Sequence, residues 1–220
     1  AQRHCDIRNG LSSPPKINIK NIFDMSLKPL WCMNMLRTQR RTFGNIVGHV
    51  DGVTDNSKLS AWIGEQFDLK LNWDDVSRIR DWWQGKLILK GILDPEDAIA
   101  AEKIGADVLV VSNHGGRQLD ETLSSINALP DVISALKSDT NVWLDSGIQS
   151  GQDILEALAL GAKATMIGRT YLYGLAAAGK DGVYKALEIL HKELDLTMGL
   201  CGCKDISEIS NKIIHTQNLR

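Results

Sequence analysis

The feature that most limits how this chain can fold is an alternation beginning after Gly85, in which four short apolar runs are each followed by a segment of helical character. The runs are Leu87–Lys90, Asp107–Val111, Val142–Asp145 and Ala164–Gly168, short apolar stretches of the kind a fully buried strand needs. Helices are expected at Pro95–Ile104, Ser124–Lys137, Gly151–Leu160 and Lys180–Leu194, with a last one near Ile206–His215. Parallel strands need crossovers long enough to hold a helix, so the alternation requires a parallel α/β fold. Two architectures stay open, a doubly wound open sheet and a (β/α)8 barrel.

Each run delivers an ionisable group at its carboxyl end. Lys90 follows Leu87-Ile88-Leu89, His114 and Arg117 come just after Val111, Asp145 follows Trp143-Leu144, and Arg169 follows Met166-Ile167-Gly168. Active sites of parallel α/β folds are built at that rim, which favours a functional site over four separate surface ion pairs. The turn Ser112-Asn113-His114-Gly115-Gly116-Arg117 sets an imidazole three positions from a guanidinium. Arginine grips a carboxylate through paired hydrogen bonds and histidine exchanges protons near neutrality, so the pair suits proton removal from a bound carboxylic acid. Further on, Asp145-Ser146-Gly147-Ile148-Gln149-Ser150-Gly151 leads into a helix and Gly168-Arg169 follows the last strand, a pattern that could converge on a phosphate. No G-x-G-x-x-G follows a strand, which argues against a Rossmann nucleotide site.

Upstream, Asn18 to Leu36 holds Ile19, Ile22, Phe23, Met25, Leu27, Leu30, Trp31, Met33, Met35 and Leu36, interrupted by Pro29. Lys16, Lys20, Lys28, Arg37, Arg40 and Arg41 surround them, so two short amphipathic helices are expected. They would serve either as a contact with an anionic lipid surface or as a helical pair packed on its own core. Positions 42–71 read as a long surface segment with one short helix at Lys58–Glu65. Asn72 is expected to cap a helix from Trp73 to Gln84 whose tryptophans Trp73, Trp82 and Trp83 are most simply core.

A net charge of −2 over 220 residues leaves no basic footprint for nucleic acid. Cys5, Cys32, Cys201 and Cys203 match no zinc spacing and read as free thiols of a reducing compartment, so no metal is expected. No apolar run approaches membrane-spanning length, and the expected location is cytoplasmic or peripheral on the inner face of the cell membrane.

The segments LILKGILDPEDA, SNHGGRQLD, DSGIQSGQDILEALALGA and IGRTYLYGLAAAG resemble those of the FMN-dependent 2-hydroxy-acid dehydrogenases and oxidases. DWWQGKLILKGILDPEDA and the tail GCKDISEI are most similar to the bacterial quinone-linked L-lactate dehydrogenase branch. The resemblance implies a (β/α)8 barrel holding FMN at its carboxyl rim, oxidation of a small L-2-hydroxy acid with L-lactate ahead of glycolate or mandelate, and a quinone-type electron acceptor. By matching positions, His114 is implied as the base, Arg117 and Arg3 as the substrate-binding arginines, and Lys90, Asp145, Ser146, Gly147, Gly168 and Arg169 as cofactor-binding residues. Gln149 departs from the pattern, since relatives usually carry arginine there.

A complete barrel needs about 250 residues and eight units, whereas four are counted here. The expectation is therefore a helical and loop segment over 1–72 and the carboxyl-terminal half of an FMN-binding barrel over 73–220. Its expected partners are copies of itself or a complementary amino-terminal half. Alternative readings are a catalytically inactive half-barrel that needs such a chain, an oxygen-using oxidase, or a phosphate-binding barrel enzyme without flavin.

Overall fold

The computed structural model describes residues 8, 10, 18–38, 43–47, 49–53, 56–66, 68–119 and 121–214. They fall into two compact units, Ala1–Leu71 and Asn72–Arg220.

In the first unit, α1 (Ile19–Ser26) begins where the Asn18 side chain accepts the Asn21 amide at 2.8 Å. Helix α2 (Pro29–Arg37) starts on Pro29, whose missing N–H costs nothing at a helix start. Both expected helices form, yet neither buries a residue. Ile19, Phe23, Leu30 and Leu36 are all exposed, so the alternative of a pair packed on its own core is not met. Helix α3 (Asn56–Gln66) contains the expected Lys58–Glu65 helix, and Val53 and Leu59 of the surrounding segment are buried.

The second unit opens with α4 (Trp73–Trp82), where Asn72 and Asp75 close a reciprocal capping box. Four strand and helix pairs follow: β1 (Ile88–Ile92) and α5 (Pro95–Ile104), β2 (Val108–Val111) and α6 (Ser125–Ala135), β3 (Asn141–Asp145) and α7 (Gly151–Ala159), β4 (Ala164–Met166) and α8 (Arg169–Leu200). All pairings are parallel and the order is β1-β2-β3-β4. A doubly wound sheet reverses direction at a switch point; this one steps always to the same side, as barrel strands do. It is half the strand complement of a (β/α)8 barrel.

The core lies between sheet and helices. Leu109, Val111, Val142 and Leu144 pack there with Ala98, Ala101, Leu129, Val132 and Ala157. The alanines let α5 and α7 lie close to the sheet, while each fully buried leucine contributes about 1.5–3 kcal/mol. Side chains alternate along a strand, so Lys90, Val110 and Asp145 stand on the opposite face. A bulge at Gly91 (φ +104°) shifts the β1–β2 register directly after Lys90 and re-aims the strand end.

Three expectations need correction. Trp82 and Trp83 are exposed, not core, because α4 is fastened by polar contacts. The Arg80 guanidinium reaches Gly85 O, the Trp83 indole N–H donates to Lys86 O, and the Trp73 indole N–H donates to Asp97. Among the described residues, the expected helix at Ile206–His215 is two single turns, Ile206–Glu208 and Asn211–Ile213, the first closed by a reciprocal capping box in which the Asp205 and Glu208 carboxylates accept backbone amides. Finally, Lys180–Leu194 is only part of α8, which starts at Arg169 and breaks at Ala178-Gly179 (φ +58° at Gly179). Its two limbs fold together through Gly174 and Gly182, where an added Cβ would meet the opposing carbonyl oxygen at 2.3 Å or 1.9 Å.

Candidate active site

The carboxyl ends of β1, β2 and β3 converge on one hydrogen-bonded cluster. Lys90 Nζ, from β1, lies 2.5 Å from Asp145 Oδ2, at the end of β3, and 2.9 Å from Ser112 Oγ, just past β2. Ser112 Oγ donates to Asp145 Oδ2 at 2.6 Å and accepts the His114 amide at 3.0 Å. Burial pushes the Asp145 carboxyl up, but its hydrogen bonds from Lys90, Ser112 and Ser146 outweigh that, and it sits below the ordinary aspartate value. Asp145 is therefore a fixed anion and Lys90 a held cation, with the lysine side chain still 39 % exposed.

The turn carrying the imidazole is an unusual piece of backbone. His114, Gly115 and Gly116 all have positive φ, at +56°, +66° and +67°. A non-glycine residue pays about 1–2 kcal/mol for that conformation, so His114 must be held in it. Three side-chain oxygens accept the three successive amides: Ser112 Oγ for His114, Ser146 Oγ for Gly115 at 2.8 Å, and Asn113 Oδ1 for Gly116 at 3.1 Å. The Arg169 guanidinium adds a 3.2 Å bond to Gly115 O. His114 and Arg117 are exposed, and among the described residues neither side chain has a partner.

Behind these loops a hollow of about 300 Å³ is lined by Gly115, Gly116, Ser146, Gly147, Ser125 and Arg169, among others. Lys90, His114 and Arg117 do not line it. The chain thus brings Lys90, Asp145, Ser146, Arg169 and the backbone of His114 together, while the hollow lies on the helix side of them. Gly147 (φ +85°) continues the β3 loop, and Gly168 precedes α8, whose start no side chain caps. Arg3 lies outside the described residues. Ser112 and Asn113 were not singled out from sequence. The signal was there: two polar residues continue a strand whose every residue is buried, and Ser112 itself is 3 % exposed.

The carboxyl rim of this parallel β/α sheet thus bears a fixed lysine–aspartate pair, a histidine on a strained turn and a helix start that no side chain caps. The chain belongs to the FMN-dependent dehydrogenase family, which it matches over residues 1–216. It is 42% identical over 209 residues to an L-lactate dehydrogenase of Allorhizobium ampelinum, a match covering 94% of this chain and 55% of that protein. The figure is 43% for an L-lactate dehydrogenase of Actinobacillus pleuropneumoniae, with the same coverage. Among solved structures, the monotopic membrane protein (S)-mandelate dehydrogenase is similar with a TM-score of 0.89 at 35% identity, over 96% of this chain and 56% of that one. A mandelate oxidase with benzoyl-formic acid is similar with a TM-score of 0.60 at 44% identity, over 62% of this chain and 41% of that one. The chain spans about half the length of the lactate dehydrogenases it matches.

Proposed function

We propose that this chain contributes the carboxyl rim of an FMN-dependent oxidase or dehydrogenase of small L-2-hydroxy acids, with L-lactate as substrate and a quinone-type acceptor. The observation that carries the reading is the cluster in which Lys90, Asp145 and Ser112 meet the backbone of His114. The residues suit the cofactor. Lys90 supplies a held cation beside a glycine-bearing loop, and the uncapped start of α8, headed by Arg169, suits a phosphate. Asp145 opens that loop and Gly147 continues it, and Gly168 sets the helix start.

Bound FMN would accept two electrons from the substrate. Arg117 presents two parallel donors to the substrate carboxylate, with Arg3 as a second contact. His114 takes a proton from the hydroxy acid, and its held backbone keeps the imidazole from sampling unproductive directions. Lys90, held in place by Asp145 and Ser112, would set a positive charge beside the cofactor.

The exposed apolar faces of α1 and α2, with Lys20, Lys28 and Arg37 beside them, support attachment to an anionic lipid surface, where a quinone would be at hand. Among the described residues no helix is long and apolar enough to cross a membrane. A second reading is favoured by the sheet itself, whose β1 and β4 have one unpaired edge each among the described residues. It is a half-barrel that stays inactive until a complementary chain pairs with those edges.

The test is to purify the 220-residue chain with added FMN and record its absorbance before and after anaerobic L-lactate. Flavin that co-purifies and bleaches with lactate is the expected outcome. Flavin bound only after co-expression with a chain supplying the remaining strands selects the second reading. No flavin in either preparation overturns both.

A further inference from the structure

We propose that Ser146 is a positioning residue for His114, acting through the backbone of the turn rather than on cofactor or substrate. The inference rests on the reading of His114 as the base. Ser146 Oγ accepts the Gly115 amide at 2.8 Å and lies 3.4 Å from both Asp145 Oδ2 and Ser112 Oγ. Its hydroxyl is therefore engaged on each side within the protein. Its bond from the Gly115 amide crosses between the β3 loop and the β2 turn and lands on the residue after the histidine.

Conformation makes that bond matter. Ser146 is itself a non-glycine residue at φ +86°, as is His114 at φ +56°. Two left-handed loops on neighbouring strands are thus locked to each other, and neither conformation is one the residue would choose alone. Ser112 and Asn113 hold the turn from within their own loop, two and three residues away. Ser125 Oγ, which accepts the Asn113 amide at 3.1 Å, Arg169 and Ser146 anchor it from elsewhere in the chain. Two ties reach the loop carrying Asp145: Ser112 Oγ bonds Asp145 itself, and Ser146 Oγ takes the Gly115 amide directly. Ser112 fixes the front of the turn against the Lys90–Asp145 pair, and the Ser146 hydroxyl fixes the next peptide, so the two together set where the imidazole stands. A glycine would suit the β3 loop's backbone better than serine does, so a serine there is accounted for by its side chain.

The same conformational point provides a clean test. Ser146→Gly removes the hydroxyl while relaxing the backbone, so a loss cannot be blamed on strain; Ser146→Ala removes the hydroxyl and keeps the strain. In the full chain, amide hydrogen exchange at Gly115 is expected to quicken about tenfold in both variants, the loss of one net hydrogen bond, with β2 protection unchanged. With FMN and L-lactate, kcat is expected to fall about tenfold while KM and the FMN dissociation constant stay within about twofold. Unchanged Gly115 exchange in both variants overturns the proposal. So does weakened FMN binding with kcat unchanged at saturating flavin, which makes Ser146 a cofactor ligand. A wild-type chain that binds no FMN sinks the proposed function, yet the exchange measurement still decides the role of Ser146 in the turn.

Discussion

The two ends of the four-stranded sheet carry the same chemistry for opposite purposes. At the amino end, Asp107 accepts Lys86 Nζ at 2.7 Å, Arg80 Nη1 at 3.3 Å and the Leu87 amide at 2.9 Å. At the carboxyl end, Asp145 accepts Lys90 Nζ and two serine hydroxyls. Both carboxyls are held below the ordinary aspartate value. The backbone around Asp107 is ordinary, and its partners fasten α4 to the sheet. The loops around Asp145 run through left-handed serine and histidine. An aspartate–lysine pair is therefore no mark of a site; what separates the two ends is that one stores conformational strain next to an unpartnered imidazole.

The sharpest way to break that comparison is at His114. His114→Asn is expected to lower kcat for L-lactate by about 10²- to 10⁴-fold, the usual contribution of a placed acid or base. The unfolding midpoint is expected to hold steady or rise slightly, because the side chain is exposed and asparagine tolerates positive φ. Thermal unfolding and steady-state kinetics on one preparation check it. A variant that loses stability but keeps turnover would make the carboxyl end another fastening.

A smaller effect is expected at Gln149, on the same rim. Its side chain is exposed, and its amide is taken by Asp153 of the α7 cap at 2.9 Å, so the backbone is fixed whatever side chain stands there. Gln149→Arg adds a charged donor beside the proposed phosphate position. FMN affinity is expected to rise by about tenfold or more, as charge-assisted bonds do. A fluorescence titration showing an unchanged dissociation constant would remove the phosphate from this corner.

How legible these ends were in sequence differs for physical reasons. The four apolar runs and the Asp94-Pro95 and Ser150-x-x-Asp153 helix starts are local signals, and the four strands and α4 to α7 lie within a few residues of where they are expected, whereas α8 and the last helix do not. Lys90, His114, Asp145 and Arg169 were visible as ionisable residues ending apolar runs. The Lys90–Asp145 contact spans 55 positions and depends on sheet order, which periodicity cannot carry. The amide contacts of Ser112 and Ser146 are not readable in sequence, because a hydroxyl's role depends on which amide faces it. Tryptophans 82 and 83 misled for the converse reason. Aromatic residues at helical spacing read as a core stripe, whereas α4 is held by Arg80 and by indole N–H groups.

The smallest expected effect concerns the amino end under acid. Lys86 beside Asp107 is the main influence lowering its carboxyl, followed by the Leu87 amide and then Arg80. A carboxyl whose folded value lies below its ordinary 3.8 stabilises the fold above that pH, and the contribution fades as pH falls through the folded value. Asp107→Asn keeps an acceptor for the Leu87 amide but removes the charge. The variant is expected to unfold at a lower temperature than wild type at pH 7, with the gap closing below pH 3.8 as the wild-type carboxyl takes up a proton. Lys86 is 84 % exposed, so solvent and salt screen the pair and the gap stays small. FMN affinity is expected to be unchanged. A gap that persists into acid would mean that Asp107 acts through packing rather than charge; a changed FMN affinity would mean that the two ends of the sheet are coupled.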